Sequence, residues 1–331
     1  MTSSRSLLVI GGSGFFGKSI LDAHARGLLE PWDIGSVAVV ARRASALRGT
    51  HPALIGEGVS LHDADVGTAT MLPDADYVVH AASSTDAARY VTHAAEERAN
   101  ILAAIDNYRA VAKRSHPGAG IVYCSSGAVY GRQPPELSHV DEDFTPGDAA
   151  GLVAYKRDYA EAKRLAEARM AELGAVDMRV AVARCFAFMG VHLPRDQHFA
   201  IGNFLADGLA GRPVTVNARG PVHRSWMHAD DLVHWLMSIA AAARTDCPVY
   251  NVGSDEPVTV RDVARAVAAR FGVSARMPDA EDAPVDRYVP STRKAALALG
   301  LRRRFDFAAA LDDVAGRIGG PLVPPPVSAN R

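Results

Sequence analysis

The sequence predicts an α/β protein built on a doubly wound parallel sheet, with a smaller α/β lobe toward its C-terminal side. Three observations carry that reading. Short apolar runs at residues 7–10, 36–41, 59–61, 77–79, 120–124 and 180–186 alternate with stretches of helical periodicity, and strands alternating with helices pair parallel through right-handed crossovers. The first run ends in Gly11-Gly12-Ser13-Gly14-Phe15-Phe16-Gly17 and leads straight into a helical stretch. Beyond Phe186 the regular spacing breaks down, which marks a change of architecture.

The glycine turn is the first element with chemistry in it. Gly11, Gly14 and Gly17 let backbone N–H groups approach a phosphate, and the N-terminus of the following helix adds partial positive charge. Placed on the first strand, the turn is read as a dinucleotide site rather than a plain glycine turn, and the sheet as Rossmann-type. The second strand ends in Arg42-Arg43. At this point NAD sites offer a carboxylate to the ribose and NADP sites an arginine to the 2′-phosphate. Asp33 lies before the strand, at its wrong end, so NADP(H) is favoured, with NAD(H) and two solvated arginines as the alternative. The third strand leads to Asp63-Ala64-Asp65-Val66. The fourth leads to His80-Ala81-Ala82-Ser83, small residues that let the chain pass close to a nicotinamide ribose. His80 is given no role. A helix follows with Ile101, Ile105, Tyr108 and Ala112 on one stripe. The fifth strand runs into Ser125-Ser126-Gly127-Ala128-Val129-Tyr130-Gly131, and the sixth holds Arg184. Further on, Thr259 is a helix N-cap with Asp262 at the third helical position, and Gly272 is the stop.

Composition sets the bounds. With 331 residues, 48% of them apolar, the chain can bury two cores. The division read from it is 1–185 with a returning segment at 221–254, then 186–220 and 255–318, and a mobile tail at 319–331. Lys and Arg number 36 against 37 Asp and Glu, with no basic run, so nucleic acid is excluded as a partner. Cys124, Cys185 and Cys247 have no CxxC spacing and are read as reduced thiols; no metal site is expected. No signal segment and no apolar stretch of roughly 18–20 residues is found, so the expectation is a soluble cytoplasmic protein, free of the membrane.

The catalytic candidate is Tyr159-Ala-Glu-Ala-Lys163. Residues four apart on a helix share a face, and Tyr159 alone among the nine tyrosines has a lysine four residues on, in a chain with only five lysines. A phenol titrates near 10, and a neighbouring ammonium favours its ionised form. Such a pair can pass a proton to or from a carbonyl oxygen while a hydride moves at carbon.

In joint order, Gly11xxGly14xxGly17, Asp65-Val66, His80-Ala81-Ala82, Asn100, Ser125-Ser126-x-x-Val129-Tyr130-Gly131, Tyr159xxxLys163 and Arg224 with Asp230-Asp231-Leu232 resemble the extended short-chain dehydrogenase/reductase family, in its nucleotide-sugar epimerase and dehydratase branch. The match runs to about Phe307. The resemblance implies an enzyme with Ser126, Tyr159 and Lys163 as catalytic residues. It implies cofactor contacts from Gly11, Gly14, Phe15, Phe16, Gly17, Arg42, Arg43, Asp65, Val66, Ala81, Ala82, Asn100, Phe186 and the Tyr159–Lys163 pair. Ser83, Ser126, Asn203, Arg224 and Arg287 are the implied contacts to a nucleoside-diphosphate sugar. It further implies a homodimer through a four-helix contact. Two departures narrow the chemistry. Dehydratases and decarboxylases of this branch carry an acid just after the Ser or Thr, where Gly127 and Ala128 stand here, and Arg42-Arg43 replace the carboxylate of NAD-recycling epimerases. The expectation is an NADPH-dependent 4-ketoreductase, with an NAD-dependent 4-epimerase as the alternative, ahead of a 4,6-dehydratase or a non-catalytic cofactor-binding regulator.

Overall fold

The structure, a computed structural model, describes residues 4–83, 87–145, 152–197 and 199–319. Apart from Gly319, the tail read as mobile lies outside the described residues. Seven strands form one parallel sheet: β1 (Arg5–Ile10), β2 (Ile34–Ala41), β3 (Val59–Asp63), β4 (Tyr77–His80), β5 (Gly120–Ser126), β6 (Arg179–Cys185) and β7 (Val249–Val252), in the order β7-β6-β5-β4-β1-β2-β3. The predicted sixth strand is shifted by one residue, and Phe186 leaves it with its N–H still donating to the Val252 carbonyl. β7 is a strand the sequence reading does not name: polar Asn251 interrupts its run, whereas β4, equally short, is apolar through Tyr77-Val78-Val79.

Side chains alternate along each strand, so β1 sends Leu7 and Val9 into one core and Leu8 and Ile10 into the other. Both faces of the inner strands are dry, which is why these read as apolar runs, while the edge strand β3 is partly exposed. The first core is closed by α1 (Phe15–Ala25), through Ile20 and Leu21, and by a later helix through Leu232, Trp235, Leu236 and Ile239. The second is closed by α2 (Ala94–Ser115), through Ile101, Ile105 and Tyr108, and by α3 (Ala154–Ala171), through Ala162, Ala166 and Met170. The strand order reverses between β1 and β4, and in open α/β sheets that switch point is where ligands bind.

Three helices of the second half complete the set relevant to the site: α4 (Ala200–Leu209), α5 (Ala229–Ala241), which is the helix of Leu232 and Trp235, and α6 (Val260–Phe271). α4 and α6 share a separate core with Phe204, Val263, Val267 and Phe271. Thr259 caps α6, its hydroxyl accepting from Asp262 N–H at 3.0 Å, and Gly272 ends it with a left-handed φ of 67°. A three-stranded sheet sets residues 222–224 between 258–259 and 286–288, with Tyr288 opposite Arg224. Among the described residues no helix is long and apolar enough to cross a membrane.

Candidate active site

Gly11 has a φ of 83°, and a Cβ there would lie 2.6 Å from the Ala82 backbone. A Cβ on Gly17 would lie 2.1 Å from the Gly12 carbonyl oxygen, so glycine alone lets α1 pack on the turn. α1 starts at Phe15 with no side-chain cap from Gly14, leaving its first N–H groups to face the turn. Phe16 meets Phe188 edge-to-face at 5.3 Å, fastening the turn to the chain beyond β6. This cradle, closed to a side chain at Gly11 and Gly17, is of the kind that fits the pyrophosphate of a dinucleotide, with Gly14 between them and Ala81 and Ala82 alongside.

At the end of β2, Arg42 and Arg43 are exposed and, among the described residues, neither is in an ion pair. Beside them the Ser45 hydroxyl and N–H bind Asp63 at 2.5 and 2.7 Å, holding its carboxyl below the usual range. Asp33 ends a 3₁₀ turn before the strand with a φ of 58°, remote from the end that faces a ribose. Asp65 is exposed and accepts from Gly67 N–H, while Val66 is buried. The loop between them and α2 is held by Asn107, whose amide donates to Val66 O at 2.7 Å and Ala69 O at 2.8 Å. Asn100, on the same helix, is exposed.

Tyr159 and Lys163 leave one face of α3 against the end of β5. Lys163 is 2% exposed; its Nζ donates to Cys124 O at 3.1 Å and lies 5.8 Å from the Tyr159 ring centre. Tyr159 is half-buried. Ser126, the last residue of β5, caps the 3₁₀ turn Gly127–Tyr130 by accepting from Ala128 N–H at 3.1 Å. Tyr288 stands beside both Ser126 and Tyr159; burial pushes its phenol up, and the adjacent Ser126 hydroxyl partly opposes this. Phe186 lies against Tyr288 with ring centres 4.6 Å apart.

Beneath this surface is a buried polar chain. Ser125 Oγ donates to Glu167 Oε1, and Arg184 reaches both oxygens of Glu167 while also donating to Tyr130 Oη at 3.0 Å. Tyr130 donates to Asn251 Oδ1 at 2.7 Å, and Asn251 N–H donates to Glu142 Oε1 at 2.7 Å. Burial works against the Arg184 charge, but the hydrogen bonds and attraction of Glu167 outweigh it and raise its pKa.

The remaining candidates are placed as follows. Ser83 follows Ala82 at the end of the β4 segment. Asn203 is in the first turn of α4, its amide donating to Gln197 O at 2.8 Å. Arg224 pairs with Asp286 at 2.7 Å, and Arg287 donates to Pro135 O at 3.4 Å. The structure thus gathers Ser126, Tyr159, Lys163 and Phe186 at one strand end. The sequence reading misses Tyr288, Glu167 and Asn251. Glu167, four residues beyond Lys163 on the same helical face, carried a readable signal; Tyr288 and Asn251 arrive from distant segments and carried none.

The arrangement is that of a nicotinamide-dependent enzyme of the short-chain dehydrogenase/reductase kind. The chain belongs to the NAD dependent epimerase/dehydratase family, whose pattern matches residues 7–253. It is 28% identical over 303 residues to UDP-glucuronic acid decarboxylase 1 of Danio rerio, spanning 89% of this chain and 68% of that one. The fold is shared with UDP-glucose 4-epimerase of Thermus thermophilus in complex with NAD, at 22% identity, a TM-score of 0.74 and coverage of 96% and 100%. It is also shared with dTDP-glucose 4,6-dehydratase of Streptomyces venezuelae, at 19% identity, a TM-score of 0.75 and coverage of 94% and 96%.

Proposed function

We propose that the enzyme reduces the 4-keto group of a nucleoside-diphosphate sugar with NADPH. When bound at the glycine cradle, the cofactor supplies a hydride to the C4 carbonyl carbon. The Ser126 hydroxyl holds the carbonyl oxygen, which takes the π electron pair as the C–H bond forms. Tyr159 gives that oxygen its proton, and the Lys163 ammonium stabilises the phenolate left behind until solvent returns a proton. Asn203, Arg224 and Arg287 are assigned to the diphosphate, and Ser83 to the sugar side of the cleft. Asp65, Val66 and Asn100 are assigned to the cofactor, with Phe15 and Phe16 flanking it.

The observation that carries reduction over elimination is Gly127, since neither it nor Ala128 has a proton to offer at C5. Arg42 and Arg43 support NADPH, because a 2′-phosphate gains charge-assisted hydrogen bonds from two guanidiniums that NADH cannot make. The second reading is a 4-epimerase holding NAD, favoured by the exposure of both arginines to solvent. The test offers 4-keto and 4-hydroxy nucleotide sugars separately and follows NADPH by absorbance. Stoichiometric NADPH loss with the ketone supports reduction; interconversion of two hydroxy sugars without added cofactor, by protein that copurifies with NAD, overturns it.

A cytoplasmic homodimer is part of the same reading. α2 and α3 lie side by side, joined by Arg98–Glu161 at 3.1 Å and Arg169–Asp106 at 2.6 Å, with Leu165 exposed on α3. Two such pairs across a two-fold axis make an isologous contact; light scattering at micromolar concentration should give twice the chain mass, and a monomer mass refutes the dimer.

A further inference from the structure

Glu167 follows Lys163 by one helical turn, and a carboxylate at that spacing ordinarily pairs with the lysine. Here both of its oxygens are engaged elsewhere. Arg184 Nε lies 3.1 and 3.2 Å from Oε1 and Oε2, Arg184 Nη2 lies 2.8 Å from Oε2, and Ser125 Oγ lies 2.5 Å from Oε1. The pair is almost out of solvent, with side-chain exposures of 16% for Arg184 and 10% for Glu167. It reaches across three elements, from α3 to β6 and to the Ser125 that precedes Ser126 on β5.

We propose that Arg184 and Glu167 are a positioning pair for the Tyr159–Lys163 helix, with Arg184 occupying and neutralising Glu167 so that the Lys163 charge stays directed at Tyr159 and the Cys124 carbonyl. The inference rests on the reading that Tyr159 and Lys163 do the chemistry. Of the other titratable side chains facing this cluster, Tyr123, Tyr130, Tyr288, Cys185 and Cys247 are pushed up by burial and His80 is pushed down, so all six are neutral near pH 7; Glu142, whose backbone carbonyl meets Arg184 at 3.4 Å, is also pushed up by burial, and its carboxyl is held by Asn251 N–H. Arg164, next on the helix, is turned to Val129 O at 2.7 Å. Removing Arg184 therefore leaves an unbalanced carboxylate one helical turn from Lys163, and removing Glu167 leaves an unbalanced guanidinium against that turn. An uncompensated unit charge at that range moves a neighbouring titration by about one pH unit, with a sign set by the charge that remains.

The experiment compares Arg184→Met, Glu167→Gln, the double variant, Arg184→Lys and Tyr159→Phe in the full chain. The readouts are pH–rate profiles, NADPH binding by nucleotide fluorescence, and thermal denaturation. Arg184→Met should move the profile midpoint up by about one unit and weaken NADPH binding several-fold, since Glu167 then competes for Lys163. Glu167→Gln should move the midpoint down. The double variant should return it to near the wild-type value, and Arg184→Lys, which keeps the charge, should leave it there. Should a charge variant not fold, Ser125→Ala, which frees one lone pair of Glu167, must give a smaller upward shift. Midpoints that stay fixed, or that move the same way in both single variants while only stability falls, overturn the proposal. Full turnover by Tyr159→Phe would instead overturn the reading of the catalytic pair.

Discussion

A Cβ placed on Gly127 would lie 2.7 Å from the Tyr288 hydroxyl, and equally 2.7 Å from Cζ of Phe186. The position that follows Ser126 is therefore closed by two aromatic side chains, one from the loop after β6 and one from the C-terminal sheet. An acid at 127 has no room, which is a reason from packing to set beside the reason from chemistry. Gly127→Ala should destabilise the protein by about 1–3 kcal/mol, the scale of overpacking in a filled core. Thermal denaturation reads this directly, and adding Tyr288→Phe should recover part of the loss by removing one of the two short contacts. An unchanged melting temperature in Gly127→Ala would mean the aromatic pair yields freely.

Tyr159→Phe keeps the ring that packs beside Lys163 and deletes the hydroxyl that carries the transferable proton. Turnover should fall at least about 10²-fold, the usual scale for general acid–base catalysis. Dinucleotide binding and the melting temperature should stay as in the wild type. A pure sample that retains near-full turnover refutes the role.

How much of this was legible in the sequence differs by element. Six of the seven strands were readable, the inner ones because both faces of the sheet are dry there, as Leu7 to Ile10 show, and the glycine cradle because its spacing is local. Tyr159, Lys163 and Ser126 were readable because each lies in a contiguous motif. β7 was not, since polar Asn251 interrupts its four-residue run and is buried through its hydrogen bonds with Tyr130, Val140 and Ser291. Tyr288 was not, because its place beside Ser126 depends on the pairing of residues 286–288 with 222–224, a long-range register that no local pattern encodes.

His80 gives the fold a measurable pH dependence. Its ring is fully buried between Tyr108 and Tyr123, at 5.1 and 5.8 Å between ring centres, and neither nitrogen has a hydrogen-bond partner among the described residues. Burial, with a smaller push from the Lys163 charge, lowers its pKa from 6.5 to about 3. Between those values the unfolded chain holds a proton that the folded chain does not, so stability falls as pH falls, by about 1.4 kcal/mol per pH unit. His80→Phe should remove that contribution. Urea unfolding from about pH 6 to about pH 4 should therefore show a shallower loss of stability in the variant than in the wild type; equal slopes would show that His80 protonates normally in the folded protein.

The proposed use of NADPH puts the exposed pair Arg42–Arg43, at the end of β2, beside the 2′-phosphate. Neither side chain has an ion-pair partner among the described residues, and Asp63, which pairs with Ala41 at that strand end, is committed to Ser45. A 2′-phosphate there would meet two guanidiniums that no carboxylate among the described residues pairs with. Each charge-assisted contact of this kind contributes about 1.5–3 kcal/mol. Replacing both arginines by Ala should therefore raise the KM for NADPH by at least about 10-fold, with little change in the KM for NADH and kcat largely retained. Single variants should each show part of the effect, and the NADPH preference of the wild type should weaken as salt rises, because exposed charges are screened. Equal KM values for NADPH in the wild type and the double variant would show the two arginines to be solvated surface charges, and would shift the balance toward the NAD-holding epimerase.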